Sequence, residues 1–212
     1  MFITFEGPDG CGKSTQVTLL VEHLQRAGYK IRATREPGGT SIGEQIREVV
    51  HDPRNKEMDP VAEVLLYSAS RAQHVAQVIQ PALAEGAIVV CDRFSDSTIA
   101  YQGYGHGLDL EMLRSITRFA TRGLVPSLTF YLDIAPETGL RRRQQDTSAE
   151  WNRLDAQALS FHQRVHQGYL KMVEAEPERW FVLDGEMAPQ AVHEAIWRHL
   201  LPQLEQRQRR LE

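Results

Sequence analysis

The stretch "EGPDGCGKST", residues 6–15, brings together more chemistry than any comparable length of this chain. Gly7, four intervening residues and then Gly12-Lys13-Ser14 give the spacing of a loop whose backbone N–H groups turn inward onto an anion. The preceding "MFITF" is apolar and β-prone. The following "TQVTLLVEHLQRAG" sets Val17, Leu20, Val21 and Leu24 at helical spacing, with Gly28 as a stop signal. Strand, glycine-rich turn and helix form the context of a nucleotide phosphate loop, to which the helix N-terminus adds about half a positive charge. Lys13 is expected to reach the β- and γ-phosphates, and Ser14 to offer its hydroxyl to Mg²⁺. Gly7, Pro8, Asp9, Gly10, Cys11, Gly12, Lys13, Ser14 and Thr15 are therefore the expected nucleotide-contacting segment. An accidental match in an ordinary turn is the rival reading, and the flanking strand and helix weigh against it.

Four further clusters could join this loop. "TREPGGT", residues 34–40, puts Arg35 at a strand end, where it could grip a phosphate bidentately or simply pair with Glu36. "VVCDRFSDSTIAYQG", residues 89–103, ends an apolar strand on Asp92, the position of an acid near Mg²⁺ and its waters, with Arg93 facing a second phosphate. Asp92 and Arg93 could also pair with each other. "LLYSASRAQ" places Tyr67 and Arg71 on one helical face. They could hold a planar base, although periodicity alone slightly favours a core tyrosine and an exposed arginine. "GLRRRQQDTSAEWNR", residues 139–153, begins as a helix carrying Arg141, Arg142 and Arg143. It reads either as a lid over a phosphate donor or as a solvated charged face.

The elements that must position these groups are legible as an alternation. Apolar β-type segments recur at 2–6, 29–34, 87–92, 127–132 and 179–183. Helical patterns lie at 13–27, 41–51, 60–84, 109–121, 136–145, 154–175 and 188–206. That order implies an α/β fold with a parallel five-stranded sheet covered by helices on both faces, of the P-loop NTPase type. No repeat or linker divides it, so residues 1–212 are expected to form one domain with a lid near 141–153. Lys and Arg number 24 against 28 Asp and Glu, a net charge of −4, which argues against bulk nucleic-acid binding. No signal peptide or membrane span is expected, and two cysteines suit the reduced thiols of a cytoplasmic protein.

Taken in order, "FEGPDGCGKST", "TREPGGT", the Tyr67–Arg71 pair, "DRFSDSTIAYQG" and "RLDAQALSFHQRVHQGYL" resemble the thymidylate kinases. The resemblance implies a homodimeric enzyme that moves the γ-phosphate of ATP, with Mg²⁺, to dTMP. By that resemblance Asp9 binds the sugar 3′-hydroxyl and helps organise Mg²⁺. Arg93 holds the acceptor phosphate, Arg35 bridges phosphates near the transfer point, and Tyr67 takes the place of a phenylalanine stacked on thymine. Arg71 meets the thymine edge with Thr98 and Gln102 beside it, and Tyr101 crowds the sugar 2′ position. Some members carry an arginine directly after the loop acid, but this chain has Gly10 there, as in the bacterial type whose transfer arginines come from the lid. Arg142 and Arg153 are the leading candidates for that role, ahead of Arg141 and Arg143. Three departures from the family stand out: Tyr67 itself, Asn152 where many members have aspartate, and "LDGEMAP" on the adenine side. The nearest rival is a kinase for another nucleotide or nucleoside, and a more distant one is a nucleotide switch with no small acceptor.

Overall fold

The computed structural model describes residues 1–145 and 151–209; residues 146–150, inside the expected lid, lie outside the described residues. Strands β1 (Phe2–Glu6), β2 (Ile31–Arg35), β3 (Ile88–Asp92), β4 (Leu128–Asp133) and β5 (Trp180–Asp184) form one sheet in the order β2-β3-β1-β4-β5. All four pairings are parallel, from Phe2 opposite Val89 on one side of β1 to Ile3 opposite Leu128 on the other. β1, β3 and β4 are buried nearly throughout, which explains their unbroken apolar runs.

Alternation along β1 assigns its two faces. Ile3 and Phe5 pack with Leu20 and Leu24 of α1 (Lys13–Arg26) and with Val192, Ile196, Leu200 and Leu204 of α9 (Pro189–Arg209). The opposite face receives α2 (Ser41–His51), α3 (Pro60–His74), α4 (Gln80–Ala84), α5 (Ser95–Thr98), α6 (Leu110–Thr121) and α8 (Leu159–Ala175) around Tyr131, Tyr169 and Trp180. α7 (Pro136–Gln145) follows β4 and runs past the phosphate loop. The helix expected over 60–84 is continuous in path, but a π-helical turn at Val75–Ile79 links α3 to α4. Val64, Val75, Val78 and Ile79 are buried there, leaving Val61 and Leu65 exposed on α3. A second π-helical turn, Ile99–Gly105, follows α5 in a region with no helical signal in the sequence. Its β-branched and glycine residues are poor helix formers, and packing against α8 outweighs that propensity.

Because every strand runs the same way, the carboxyl ends of β1 to β4 open on one edge of the sheet. Ligands of such folds collect there. A cavity of about 460 Å³ occupies that edge.

Candidate active site

The loop after β1 reaches its shape through three glycines with positive φ, Gly7 at 142°, Gly10 at 76° and Gly12 at 96°. Lys13 opens α1 and curls back, donating from Nζ to the carbonyls of Gly7 (3.0 Å) and Pro8 (2.7 Å). A phosphate entering the loop would exchange these carbonyls for its own oxygens. Ser14 donates to Asp92 Oδ2 at 2.6 Å, so the loop hydroxyl and the carboxylate ending β3 are already adjacent. Both line the cavity. Two hard oxygen donors beside a phosphate loop fit Mg²⁺, which keeps several waters and takes few protein ligands. No cluster of three or more His, Cys, Asp or Glu suited to a metal is found among the described residues.

Arg93 follows Asp92 with φ 66°, the left-handed region uncommon for a side chain of this size. That turn sends its guanidinium over the cavity floor, where Nη2 donates to Asp9 Oδ1 (2.7 Å) and Tyr101 OH (3.0 Å). Nη1 donates to Ser97 Oγ (3.1 Å) and Tyr169 OH (3.3 Å). Tyr101 in turn donates to Asp9 Oδ2 at 2.9 Å. Burial alone would raise the Asp9 carboxyl, but the charges of Arg93 and Lys13 hold it well below the usual carboxylate range. Asp9 is therefore an anion, with lone pairs remaining on both oxygens for a hydroxyl donor.

The base-side wall is built from α3 and the segment after β3. Tyr67 is buried on the cavity wall, and burial raises its phenol, so it is a neutral hydrogen-bonding group there. Arg71, expected as the thymine-edge donor, is also on the wall but is only 2% exposed. Its Nε donates to Glu36 Oε2 (2.7 Å), Nη1 to Thr98 Oγ1 (2.9 Å) and Nη2 to the Phe94 carbonyl (3.2 Å). Those bonds use three of the five N–H groups of its fork. Thr98 and Gln102 line the cavity as well, with Gln102 Nε2 donating to Glu63 Oε1 at 2.5 Å. Glu36 is thus the partner of Arg71 and of His74, whereas Arg35 pairs with Glu44 at 2.8 Å with half its side chain exposed.

The lid arginines separate by placement. Arg142 lies on the cavity wall and donates from Nη1 to the Gly185 carbonyl at 2.8 Å, which ties it to the "LDGEMAP" segment. Arg143, also on the wall, donates from Nε and Nη2 to Asp155 Oδ2, both at 3.1 Å. Arg141 reaches Thr138 at 3.5 Å and is not on the wall. Arg153, expected beside Arg142, is elsewhere: 7% exposed, it forms a buried ion pair from Nη2 to Glu63 Oε2 and donates from Nε to the Val50 carbonyl at 3.3 Å. Glu63 also faces His106 Nε2 at 3.4 Å. The reason is topological: the chain turns back at Asn152, whose Oδ1 accepts from the N–H groups of Leu154 (2.8 Å) and Asp155 (3.1 Å). The turn aims Arg153 into the protein and Asp155 toward Arg143. Asn152 thus holds the turn through its amide oxygen, and the carboxylate that meets Arg143 comes from Asp155.

Gly10 shows why no loop arginine stands here. A Cβ at this position would come within 2.2 Å of the Gly139 carbonyl oxygen in α7, and one at Gly139 within 2.6 Å of the Asp9 carbonyl. The loop and the lid helix touch backbone to backbone. Sequence reasoning also missed Arg47 and His51 on α2, both on the cavity wall. Their spacing of one helical turn below "PGGT" was the available signal. Burial and the neighbouring Arg47 push His51 down to about 3, so it is a neutral imidazole at pH 7.

The comparisons with known proteins agree with this geometry. The family model described as thymidylate kinase matches residues 5–196. A thymidylate kinase of Roseiflexus castenholzii is 52% identical over 207 residues, covering 92% of this chain and 90% of that protein. One of Bacillus pumilus is 47% identical over 208 residues, covering 98% of each. Among solved structures, the thymidylate kinase of Ehrlichia chaffeensis superposes with a TM-score of 0.78 at 32% identity, covering 94% of this chain and 98% of that one. A family model matching residues 5–196, and relatives of this identity covering nearly the whole chain, mean that the chain belongs to the thymidylate kinase family.

Proposed function

We propose that this chain transfers the γ-phosphate of Mg²⁺-ATP to dTMP, giving dTDP and ADP, as a single domain whose lid segment near 141–153 closes over the donor. The observation that carries the acceptor half is the Arg93 guanidinium, fixed beside Asp9 and Tyr101 on the floor of the cavity that Lys13 borders. A second immobile cation beside a phosphate loop suits the grip of a second phosphate.

In this reading Arg93 holds the dTMP phosphate, and an oxygen of that phosphate attacks in line. That oxygen is already anionic near pH 7, so no strong base is needed. Asp9 accepts the 3′-hydroxyl, and Tyr101, hydrogen-bonded to Asp9, closes the space beside the 2′ position. Tyr67 stacks on thymine, while Arg71, Thr98 and Gln102 bind its edge. Lys13 and Arg35 draw charge from the migrating phosphoryl group, and Arg142 leaves the Gly185 carbonyl to do the same. Mg²⁺, held beside Ser14 and Asp92 and by waters, neutralises donor phosphate charge when bound. Closure of the lid segment near 141–153 over the donor excludes water and suppresses hydrolysis.

The same reading includes a homodimer. Val61 and Leu65 on α3 are 53% and 54% exposed, and Met112 and Phe119 on the adjoining α6 are 61% and 88% exposed. An apolar strip of this kind suits burial against a twofold mate. The cytoplasm is the expected compartment, supported by the unpaired Cys11 and Cys91, and no membrane or nucleic-acid partner is invoked. No helix of the described residues is long and apolar enough to cross a membrane.

The test is ADP release with Mg²⁺-ATP and, separately, dTMP, dUMP, dCMP, UMP or thymidine. Strong preference for dTMP is expected, with thymidine inert because it brings no phosphate to Arg93. Turnover that is equal without any acceptor would overturn the reading.

A further inference from the structure

Glu6 ends the central strand β1 with none of its surface exposed, and it is not on the cavity wall. A carboxylate in such a place is costly unless donors satisfy it. Its donors all come from the surroundings of Arg93. Oε1 accepts from the backbone N–H of Phe94 at 2.8 Å, and Oε2 accepts from Ser97 Oγ at 2.6 Å and Tyr169 OH at 2.7 Å. Those same two hydroxyls accept from Arg93 Nη1 at 3.1 and 3.3 Å. A hydroxyl has one proton and two lone pairs. With both protons directed to Glu6, both hydroxyls present lone pairs to the guanidinium. Phe94 is also the residue after Arg93, so its N–H anchors the chain just beyond the positive φ of 66°. Burial, with Asp96 adding its charge, pushes Glu6 up to about 7 against the pull of Arg93. That cost is hard to explain as core filling, since the same space would take an apolar side chain.

We propose that Glu6 is a positioning residue: by fixing the Phe94 N–H and the proton directions of Ser97 and Tyr169, it sets where Arg93 presents its guanidinium to the acceptor phosphate. The inference rests on the reading of Arg93 as the acceptor-phosphate arginine. An amide of the same shape cannot substitute. With its oxygen toward Phe94, its NH₂ donates to the two hydroxyls, which lie 3.1 Å apart, so that one of their protons is left to face the other hydroxyl and one to face Arg93. With the amide reversed, the NH₂ opposes the Phe94 N–H.

The experiment is steady-state kinetics on the whole enzyme with Glu6→Gln, on Ser97→Ala with Tyr169→Phe, and on the triple variant. Glu6→Gln is expected to raise the KM for dTMP at least about tenfold while the KM for ATP stays within about twofold. A general loosening of the fold would move both. The triple variant should be no more than about twofold worse than the poorer parent, because one chain of contacts is cut twice. A folded Glu6→Gln enzyme with unchanged dTMP KM, or with both KM values raised equally, overturns the proposal. Should Glu6→Gln fail to fold, the Ser97→Ala and Tyr169→Phe enzyme decides by the same measure. If the wild type ignores dTMP, the acceptor reading fails instead, and the acceptor found in the panel above replaces dTMP in the comparison.

Discussion

On the acceptor side of the cavity, Arg93 is tied to Asp9, Tyr101, Ser97 and Tyr169, and behind it Glu6 is buried without exposure. On the donor and lid side, Arg142 donates to a carbonyl, Arg35 pairs with Glu44 while half exposed, and Lys13 rests on two loop carbonyls. The contrast separates charges that hold from charges that act. A buried guanidinium with four of its five N–H groups already donated has one orientation, and it can receive a phosphate oxygen on the remaining Nε–H without reorienting. An exposed ion pair contributes only about 0–1 kcal/mol, so its cation can be redirected at little cost when a transition state offers more. In the proposed reading the acceptor half is therefore built in advance, and the donor half is completed by the nucleotide and the lid.

The largest effect that could break this contrast is expected at Lys13. Lys13→Met should lower kcat on the order of 10²–10³-fold, as for the loss of one transition-state donor. Its thermal shift with dTMP should persist, because Arg93 remains to hold both Asp9 and the acceptor phosphate. Loss of dTMP binding in that variant would join the two halves into one.

Arg142 and Arg153 sharpen the contrast within the lid segment. Arg142→Ala is expected to lower kcat at least about tenfold, roughly 1.4 kcal/mol, with little change in melting temperature. Arg153→Ala removes one member of a buried pair with Glu63, a loss of about 3–5 kcal/mol, and should lower melting on the order of 10 °C. A transfer role for Arg153 requires the reverse pattern, a large loss of kcat at unchanged melting temperature.

The smallest expected effect is in pH. Glu6 is raised from 4.5 to about 7 in the folded protein, so between those values the folded state binds more protons than the unfolded state. Its contribution to stability is present below pH 4.5 and lost as pH rises through 7. His51, pushed down to about 3, acts with the opposite sign below pH 6.5. The difference in melting temperature, wild type minus Glu6→Gln, isolates Glu6 and should fall by a few degrees between pH 5 and pH 8. A flat difference would mean that Glu6 does not change protonation on unfolding.

Much of this contrast was legible before any coordinates. β1, β3 and β4 showed because each is an apolar run buried on both faces, whereas β2 and β5 are partly exposed, and Asp9, Asp92 and Arg93 showed because they sit at or just after the ends of such runs. Side chains whose partners are far along the chain did not show. Arg153 reads as one more lid cation, and only folding brings Glu63, 90 residues earlier, against it. The segment after Phe94 carries no helical pattern in the sequence, yet it is helical with a π-turn, which brings Ser97 and Tyr101 to Arg93. Glu6 reads only as the last residue of the 2–6 strand, because nothing local tells a buried carboxylate from an exposed one.

The most direct test of the prebuilt acceptor half is calorimetric titration of the protein with dTMP and with thymidine, in the absence of any donor nucleotide. Charge-assisted hydrogen bonds from a fixed Arg93 should make dTMP bind roughly thirtyfold or more tighter than thymidine, about 2 kcal/mol. Equal affinities, or dTMP binding that begins only once ATP is present, would contradict it.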